Sequence, residues 1–285
     1  MLLHGFGASS SHWRHNAGPL AKAGYRVYGL DLIGFGRSDQ PGLQSQQPLD
    51  NRLWGRQLAA FLEQVVQSPA VLVGNSLGGL TALTTAVLTP GLVRALVAAP
   101  LPDPALLNPI ARRQKRRKRQ IRRLLVTMLC RLLPLELLVP LISRTPLLKA
   151  GLQGAYNRSI SMDRELQHLI AQPARRATAP RALRAMSVGM ALRPRGATAP
   201  SLLERLSQSP QAPPMLLLWG HDDRFVPLPI GKRVHEDHPW ISLKVLENSG
   251  HCPHDETPER FHQVLLHWLD RNLGHEHASG IEQQA

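Results

Sequence analysis

A serine flanked by glycines, directly after a short apolar run, is the feature that most constrains how this chain can fold. Residues 70–73 have the composition of a buried strand and lead into Gly74-Asn75-Ser76-Leu77-Gly78. Because neither glycine carries a Cβ atom, the backbone can turn tightly from strand to helix around the serine. Such a turn raises the hydroxyl above the carboxyl edge of a parallel sheet, at the positive end of the next helix. The pattern therefore predicts Ser76 as a nucleophile.

A histidine near the end of the chain is the candidate base for this serine. His251 follows the strand-like residues 241–246 in the loop Ser249-Gly250-His251-Cys252-Pro253. An imidazole can accept the Ser76 proton near neutral pH and return it to a leaving group.

Two adjacent carboxylates compete to orient that histidine. The apolar residues 215–219 end in Gly220-His221-Asp222-Asp223, and Asp223 is favoured because it stands three residues after the strand-ending glycine. Asp222 is the alternative acid. Asp103 is a third candidate, because it follows another predicted strand whose end is a place from which an acid can reach the histidine.

The loop after Leu2 and Leu3 supplies the predicted oxyanion hole. It reads His4-Gly5-Phe6-Gly7, and the Phe6 N–H would act together with the Leu77 N–H. Loss of one such donor typically raises the barrier by about 2.7 to 4 kcal/mol.

Together these segments resemble the α/β-hydrolase family. The resemblance rests on the His4 loop, on Asp31-Leu32-Ile33-Gly34-Phe35-Gly36-Arg37-Ser38-Asp39, on the Ser76 turn, and on Gly250-His251, in that order along the chain. It implies an α/β fold with a mainly parallel central sheet, flanking helices and a helical cap. The glycine-rich turn and the residues around His251 look most like a plant and cyanobacterial branch that includes pheophytinase-like esterases, which implies a large hydrophobic ester such as a phytyl ester.

The alternation of strand-like and helical segments predicts the domain organisation. Residues 1–100 and 213–274 form the predicted core, residues 101–212 a basic helical cap, and residues 275–285 a frayed tail. The resemblance also implies two further strands before the His4 loop, and they are absent from this sequence. Either translation begins upstream, or the strand predicted at residues 26–30 is an unprotected edge of the sheet.

Positive charge is concentrated in the predicted cap. Residues 100–200 contain twenty Lys and Arg against four acids, whereas the rest of the chain contains fourteen against sixteen. Residues 112–123 are the densest part, and the apolar residues 124–133 follow at once. Arg131 and Pro134 interrupt this apolar stretch, which makes it a poor membrane-spanning helix. One interpretation is peripheral contact of residues 111–133 with an anionic membrane. The other is a solvated basic face beside apolar residues that line a pocket.

Other features narrow the possible chemistry. The two cysteines, Cys130 and Cys252, lie in unrelated segments without metal-ligand spacing, which favours a reducing compartment. The sequence has no signal-peptide pattern, and we expect a cytoplasmic protein that is membrane-peripheral if the basic segment binds lipid. No cofactor, metal or nucleic-acid partner is expected; the substrate is a small molecule.

The sequence thus predicts a serine hydrolase that acts on a hydrophobic carboxylic ester through an acyl-enzyme. The alternatives are pheophytinase-like or acyltransferase activity with the same three side chains, or a non-catalytic protein that binds lipid or a membrane surface.

Overall fold

One parallel sheet forms the centre of the protein. The structure, a computed structural model, describes residues 1–107 and 116–274. Its strands are β1 (Leu2–Leu3), β2 (Gly29–Leu30), β3 (Ala70–Gly74), β4 (Val93–Ala98), β5 (Met215–Gly220) and β6 (Ser242–Leu246). All pair in parallel, in the order β2-β1-β3-β4-β5-β6. The predicted α/β architecture is therefore confirmed.

Helices connect and flank these strands. They are α1 (Ala17–Lys22), α2 (Asn51–Phe61), α3 (Leu77–Leu88), α4 (Pro104–Leu107), α5 (Arg116–Leu132), α6 (Leu135–Ser143), α7 (Pro146–Gln153), α8 (Arg164–Ala174), α9 (Ala179–Leu192), α10 (Ala199–Ser207), α11 (Leu228–Asp237), α12 (Pro253–Glu256) and α13 (Pro258–Leu273). The predicted tail at 275–285 and the beginning of the basic segment lie outside the described residues.

The strand sequences explain why the sheet is buried on both faces. β5 reads Met-Leu-Leu-Leu-Trp-Gly and is buried throughout, as expected of a central parallel strand covered by helices on each side. Its alternate side chains enter different cores. Leu217 belongs to the hydrophobic cluster that includes residues of α2, α3 and α10, whereas Leu216 belongs to the cluster that includes Phe261 and Leu265 of α13. Packing on both faces thereby fixes the position of the carboxyl ends of the strands.

One strand differs from the sequence prediction. The strand predicted at residues 26–30 is formed only at Gly29 and Leu30, because it pairs with β1, which offers two residues for the ladder. Between β1 and β2 lie a 3₁₀ turn that ends at Trp13 and the short helix α1. Strand β2 lies at one edge of the sheet that the described strands form.

Helices α4 to α10 lie between β4 and β5 in the chain, and we call them the inserted helices. α5 and α6 pack on α9, while α10 packs on α3 of the core. Among the described residues, the helices include none with both the length and the apolar character needed to cross a bilayer. The division into core and cap domains stays a prediction.

A buried carboxylate fixes the start of the inserted helices. Asp103 Oδ2 accepts hydrogen bonds from Arg193 Nη2 and from the Ala199 N–H, both at 2.7 Å, and Oδ1 accepts from the Ala105 N–H at 2.8 Å. The Asp103 side chain is therefore occupied in holding three parts of the insertion together.

We expect Asp103→Ala to lower the free energy of unfolding by about 3 to 5 kcal/mol, because it leaves the buried Arg193 guanidinium without this carboxylate. Glu136→Ala is the matched control, since the Glu136–Arg184 ion pair at 2.7 Å is formed by a largely exposed carboxylate and should contribute less than about 1 kcal/mol. Urea unfolding measures both. Equal losses in the two variants would contradict this role of Asp103.

Candidate active site

Ser76 lies on a strained turn between β3 and α3. Its φ of 51° and ψ of −115° are uncommon for a residue with a side chain, and the neighbouring glycines make the turn possible. A Cβ on Gly74 would lie 2.2 Å from the Gly78 carbonyl carbon, and one on Gly78 would lie 2.2 Å from the Leu3 oxygen. Only glycine fits at either position. This is the turn that the sequence pattern predicts.

A buried histidine holds the loop after β1 beside this turn. The Leu32 N–H donates to His4 Nε2 at 3.0 Å, so the ring proton lies on Nδ1 and is donated to the Gly5 oxygen at 2.8 Å. Burial lowers the pKa of His4 and keeps this neutral tautomer. The same loop carries Phe6. Among the described residues, the turn and loop hydrogen bonds use neither the Phe6 nor the Leu77 N–H, and the first N–H of a helix has no intrahelical acceptor.

The glycine-rich segment at residues 31–39 is a turn beside the loop that carries Phe6. Asp31 accepts from the Ser10 N–H at 2.6 Å and the Arg37 N–H at 2.7 Å. Gly36 packs so closely on the Asp31 carboxylate that a Cβ there would overlap it. The turn places the Phe35 ring edge-on to Phe6, with ring centroids 5.8 Å apart.

Asp223 is the acid that contacts His251. Its Oδ2 lies 2.9 Å from His251 Nδ1, and its Oδ1 accepts from the Phe225 and Val226 N–H groups at 2.8 and 2.9 Å. The carboxylate is thus oriented by its own loop. The backbone N–H of His251 donates to the Ala155 carbonyl oxygen at 2.8 Å. This bond attaches the loop that carries His251 to the inserted helices.

The two alternative acids lie elsewhere. Asp222 is partly exposed and bonds to His221 and to the Asn157 amide, each at 3.0 Å. Asp103 is held by Arg193, as described above. The structure therefore brings His251 together with Asp223 and not with Asp222 or Asp103.

Ser76 and His251 line the same cavity, which has a volume of about 590 Å³. The hydrogen bonds of the described residues do not include one between the Ser76 hydroxyl and the His251 ring. Nucleophile–base hydrogen bonds are often long until substrate binds. The observation that relates the two side chains is therefore that both line one cavity.

The cavity is apolar and contains no charged side chain among its described lining residues. Its walls come from the loops that carry Phe6 and Phe35 and from helices α6 to α9, which contribute side chains such as Leu148, Ile170 and Met186. The polar lining groups include Ser76, His251, His12 and Gln40. Such a surface suits an extended apolar ligand.

A buried ionic network beneath His251 was not found by sequence reasoning. Arg14 donates to Asp255 at 2.8 Å and to Asp163 at 2.6 Å, and Tyr156 donates to Asp255 at 3.0 Å. The Arg14 guanidinium bonded to Asp163 holds the pKa of that carboxyl well below its usual range. The network joins the region before α1, the inserted helices and α12. These residues are far apart in the chain, and no spacing pattern links them.

Two further histidines lie in the same region and are neutral in the folded protein. His12 Nε2 is 2.8 Å from the Tyr156 hydroxyl, and the His12 and His254 rings meet edge-on at 4.7 Å. Burial lowers the pKa of His12 to about 4 and that of His254 well below its ordinary value.

We expect acid to destabilise the fold through these rings. The unfolded chain binds protons on these histidines near pH 6.5, whereas folded His12 stays neutral down to about pH 4. The free energy of unfolding should therefore fall as the pH is lowered from about 6.5 to 4, by up to about 1.4 kcal/mol per pH unit for each such ring. His254→Phe should reduce the slope of the unfolding free energy against pH, because the variant loses the proton that this ring takes up on unfolding. The reduction should be up to about 1.4 kcal/mol per pH unit, measured by urea unfolding across that range. The exposed His267→Gln is the control for loss of a histidine. An unchanged slope in His254→Phe would contradict the assignment.

Comparison with known proteins agrees with this architecture. The sequence model described as "Alpha/beta hydrolase family" matches residues 1–264. A 2-hydroxy-6-oxononadienedioate/2-hydroxy-6-oxononatrienedioate hydrolase of Burkholderia vietnamiensis is 28% identical over 95% of this chain and 86% of its own length.

Solved structures are also similar. A thermophilic esterase from Thermogutta terrifontis has a TM-score of 0.68 at 23% identity, covering 95% of this chain and 88% of its own. A bacterial membrane phospholipase A has a TM-score of 0.65 at 25% identity, covering 96% and 78%. These relatives are bacterial hydrolases, so the plant and cyanobacterial pheophytinase-like branch suggested by the motifs was wrong.

Proposed function

Because the chain belongs to the alpha/beta hydrolase family, we propose that it hydrolyses a neutral, hydrophobic carboxylic ester with Ser76 as nucleophile, His251 as base and Asp223 as orienting acid. The observation that carries the proposal is the 2.9 Å contact between Asp223 and His251 at the wall of a cavity that Ser76 also lines.

The proposed mechanism follows from the hydrogen bonds of the histidine. His251 Nδ1 donates to Asp223, so Nε2 is the atom left to accept the Ser76 proton as Oγ attacks the ester carbonyl. His251 then gives this proton to the departing alcohol. Water, deprotonated by the same nitrogen, then attacks the acyl carbonyl. Collapse of this second intermediate breaks the bond to Ser76 Oγ, which takes the proton back from Nε2, and the acid is released. The Phe6 and Leu77 N–H groups stabilise the tetrahedral oxyanion in both steps.

The cavity favours a neutral substrate over a dicarboxylate. The Burkholderia relative is named for a dioate substrate, and hydrolysis of such a compound is the second candidate function. Two carboxylates bound among apolar side chains would lose water without meeting Arg or Lys from the described lining residues, which costs several kcal/mol per ion. An uncharged ester avoids this penalty.

Other interpretations of the sequence remain proposals of lower rank. Acyl transfer to an acceptor other than water would use the same three side chains. A non-catalytic lipid-binding protein would need the cavity but not the Asp223–His251 pair.

Peripheral membrane contact through residues 111–133 is proposed alongside the hydrolytic activity. The described part of this segment, α5, contains seven Lys or Arg and no acid, which suits an anionic surface. One of the similar structures is described as a membrane phospholipase A.

We expect Ser76→Ala to abolish both covalent labelling by a fluorophosphonate probe and turnover of a short-chain p-nitrophenyl ester. Asp223→Asn should lower kcat by roughly 10⁴, because the histidine loses its orienting acceptor. Asp222→Asn is the matched control and should remain close to the unmodified protein, since Asp222 does not contact His251. Labelling that persists in Ser76→Ala would refute the assignment of the nucleophile.

Substrate charge can be tested with paired esters of equal length. A p-nitrophenyl ester with a medium-length neutral acyl chain should have a kcat/KM at least roughly 100-fold above that of the same ester with a terminal carboxylate. The series should include a phytyl ester and 2-hydroxy-6-oxononadienedioate. Preference for the dioate would overturn the neutral-ester proposal in favour of the second candidate.

A further inference from the structure

The apolar side of helix α5 faces outward. Ile121, Leu124, Leu125, Met128, Leu129 and Leu132 follow the spacing of a single helical stripe, and each is between 50% and 76% exposed. A stripe of this kind normally packs on the core. Among the α5 residues whose side chains the structure describes, Thr127 is buried, and the helix packs on α9. The stripe therefore has no covering element among the described residues.

This apolar surface continues onto the next two helices. Two residues separate α5 from α6, where Leu137 and Leu141 are 73% and 56% exposed. On α7, Leu147 is 60% exposed and also lines the cavity. We call the exposed apolar residues of α5, α6 and α7 the docking face. It extends to the rim of the cavity that holds Ser76.

The charge of the surrounding segments has one sign. Helix α5 contains seven Lys or Arg and no acid, and the acid of α6, Glu136, is paired with Arg184 at 2.7 Å. Exposed apolar residues on a strongly basic helix are typical of segments that lie in the interface of an anionic bilayer, with the apolar groups in the acyl boundary and the cations at the headgroups.

We infer that the docking face rests on an anionic lipid bilayer and that the cavity takes its substrate directly from the lipid phase. The second part rests on the proposed esterase function; the first does not. A second copy of the chain is a poorer occupant, because it would bring two strongly basic helices together. A nucleic acid would neutralise the positive charge of α5 but would leave its apolar stripe exposed to water.

Vesicle binding tests the docking face. The full-length protein should sediment with vesicles of phosphatidylcholine containing phosphatidylserine, and at least roughly tenfold less with phosphatidylcholine alone. Raising the salt concentration should weaken the anionic binding. Replacing Arg116, Arg117 and Lys118 by Gln should reduce it by about 100-fold, since each cation contributes separately near the surface.

A pair of matched variants separates the apolar contribution from the charge. Leu125→Ser with Met128→Ser should lower partitioning into anionic vesicles by roughly tenfold or more. Val65→Ser with Leu88→Ser removes apolar residues that are 53% and 43% exposed, against 61% and 51% for Leu125 and Met128, and should leave partitioning unchanged. Val65 precedes β3 and Leu88 precedes β4, so both control positions lie at the amino ends of the strands, whereas the cavity lies at their carboxyl ends. Thermal unfolding checks that the four substitutions leave the fold intact.

Several outcomes would overturn the docking proposal. They are absent or salt-insensitive vesicle binding, equal binding to neutral vesicles, unchanged binding in the Leu125/Met128 variant, and equally tight, apolar-independent binding to a lipid-free polyanion such as heparin. Self-association that the Leu125/Met128 variant abolishes, seen by sedimentation velocity without lipid, would identify a second copy as the occupant instead.

Turnover distinguishes this inference from the proposed function. The Leu125/Met128 variant should hydrolyse a water-soluble short-chain ester at the unmodified rate, because neither residue lines the cavity, and should lose activity toward a vesicle-embedded ester in proportion to its lost binding. Equal loss on both substrates would refute loading from the bilayer. If the unmodified protein binds vesicles but hydrolyses neither ester, the esterase proposal fails while docking stands.

Discussion

The close contact between the start of α3 and the end of β1 is the constraint on which the rest of the site depends. Gly78 approaches the Leu3 carbonyl so closely that any side chain would overlap it. This contact sets the position of Ser76 relative to the loop that carries Phe6. Because the backbone itself makes the contact, the geometry does not rely on mobile side chains. The strained φ of Ser76 is maintained by this packing and by the paired strands on either side.

Beneath the site, polar interactions connect segments that the sheet alone would leave separate. Arg14, Asp163 and Asp255 bind the core to the inserted helices, and the Ala155 oxygen accepts from the His251 backbone. The insertion is thus attached to the same loop that presents the candidate base. A displacement of the inserted helices would therefore also move the loop that carries His251. Removal of one partner from buried ionic groups of this kind costs about 3 to 5 kcal/mol of folding free energy.

The apolar character of the inserted helices has two consequences. Their inner side chains give the cavity its uncharged lining, which limits the substrates that can be bound without a desolvation penalty. Their outer side chains leave a hydrophobic surface beside strong positive charge. Both properties suit a hydrophobic substrate that partitions into lipid. The proposed esterase activity and the proposed membrane contact are therefore chemically compatible, although each stands on separate observations.

The sequence by itself determined the local elements whose causes are local. The glycines around Ser76 dictate the turn, and the continuous apolar runs of β3 and β5 indicate buried parallel strands, because these effects act within a few residues. The spacing from Gly220 favours Asp223 over Asp222 as the acid, but the tertiary structure decided which carboxylate contacts His251, because the folded loop sets the direction of each side chain. It also decided that Asp103 holds the insertion, that Arg14 joins three distant segments, and that the stripe of α5 points outward. Each of these depends on contacts between residues far apart in the chain, for which helical or strand periodicity carries no information.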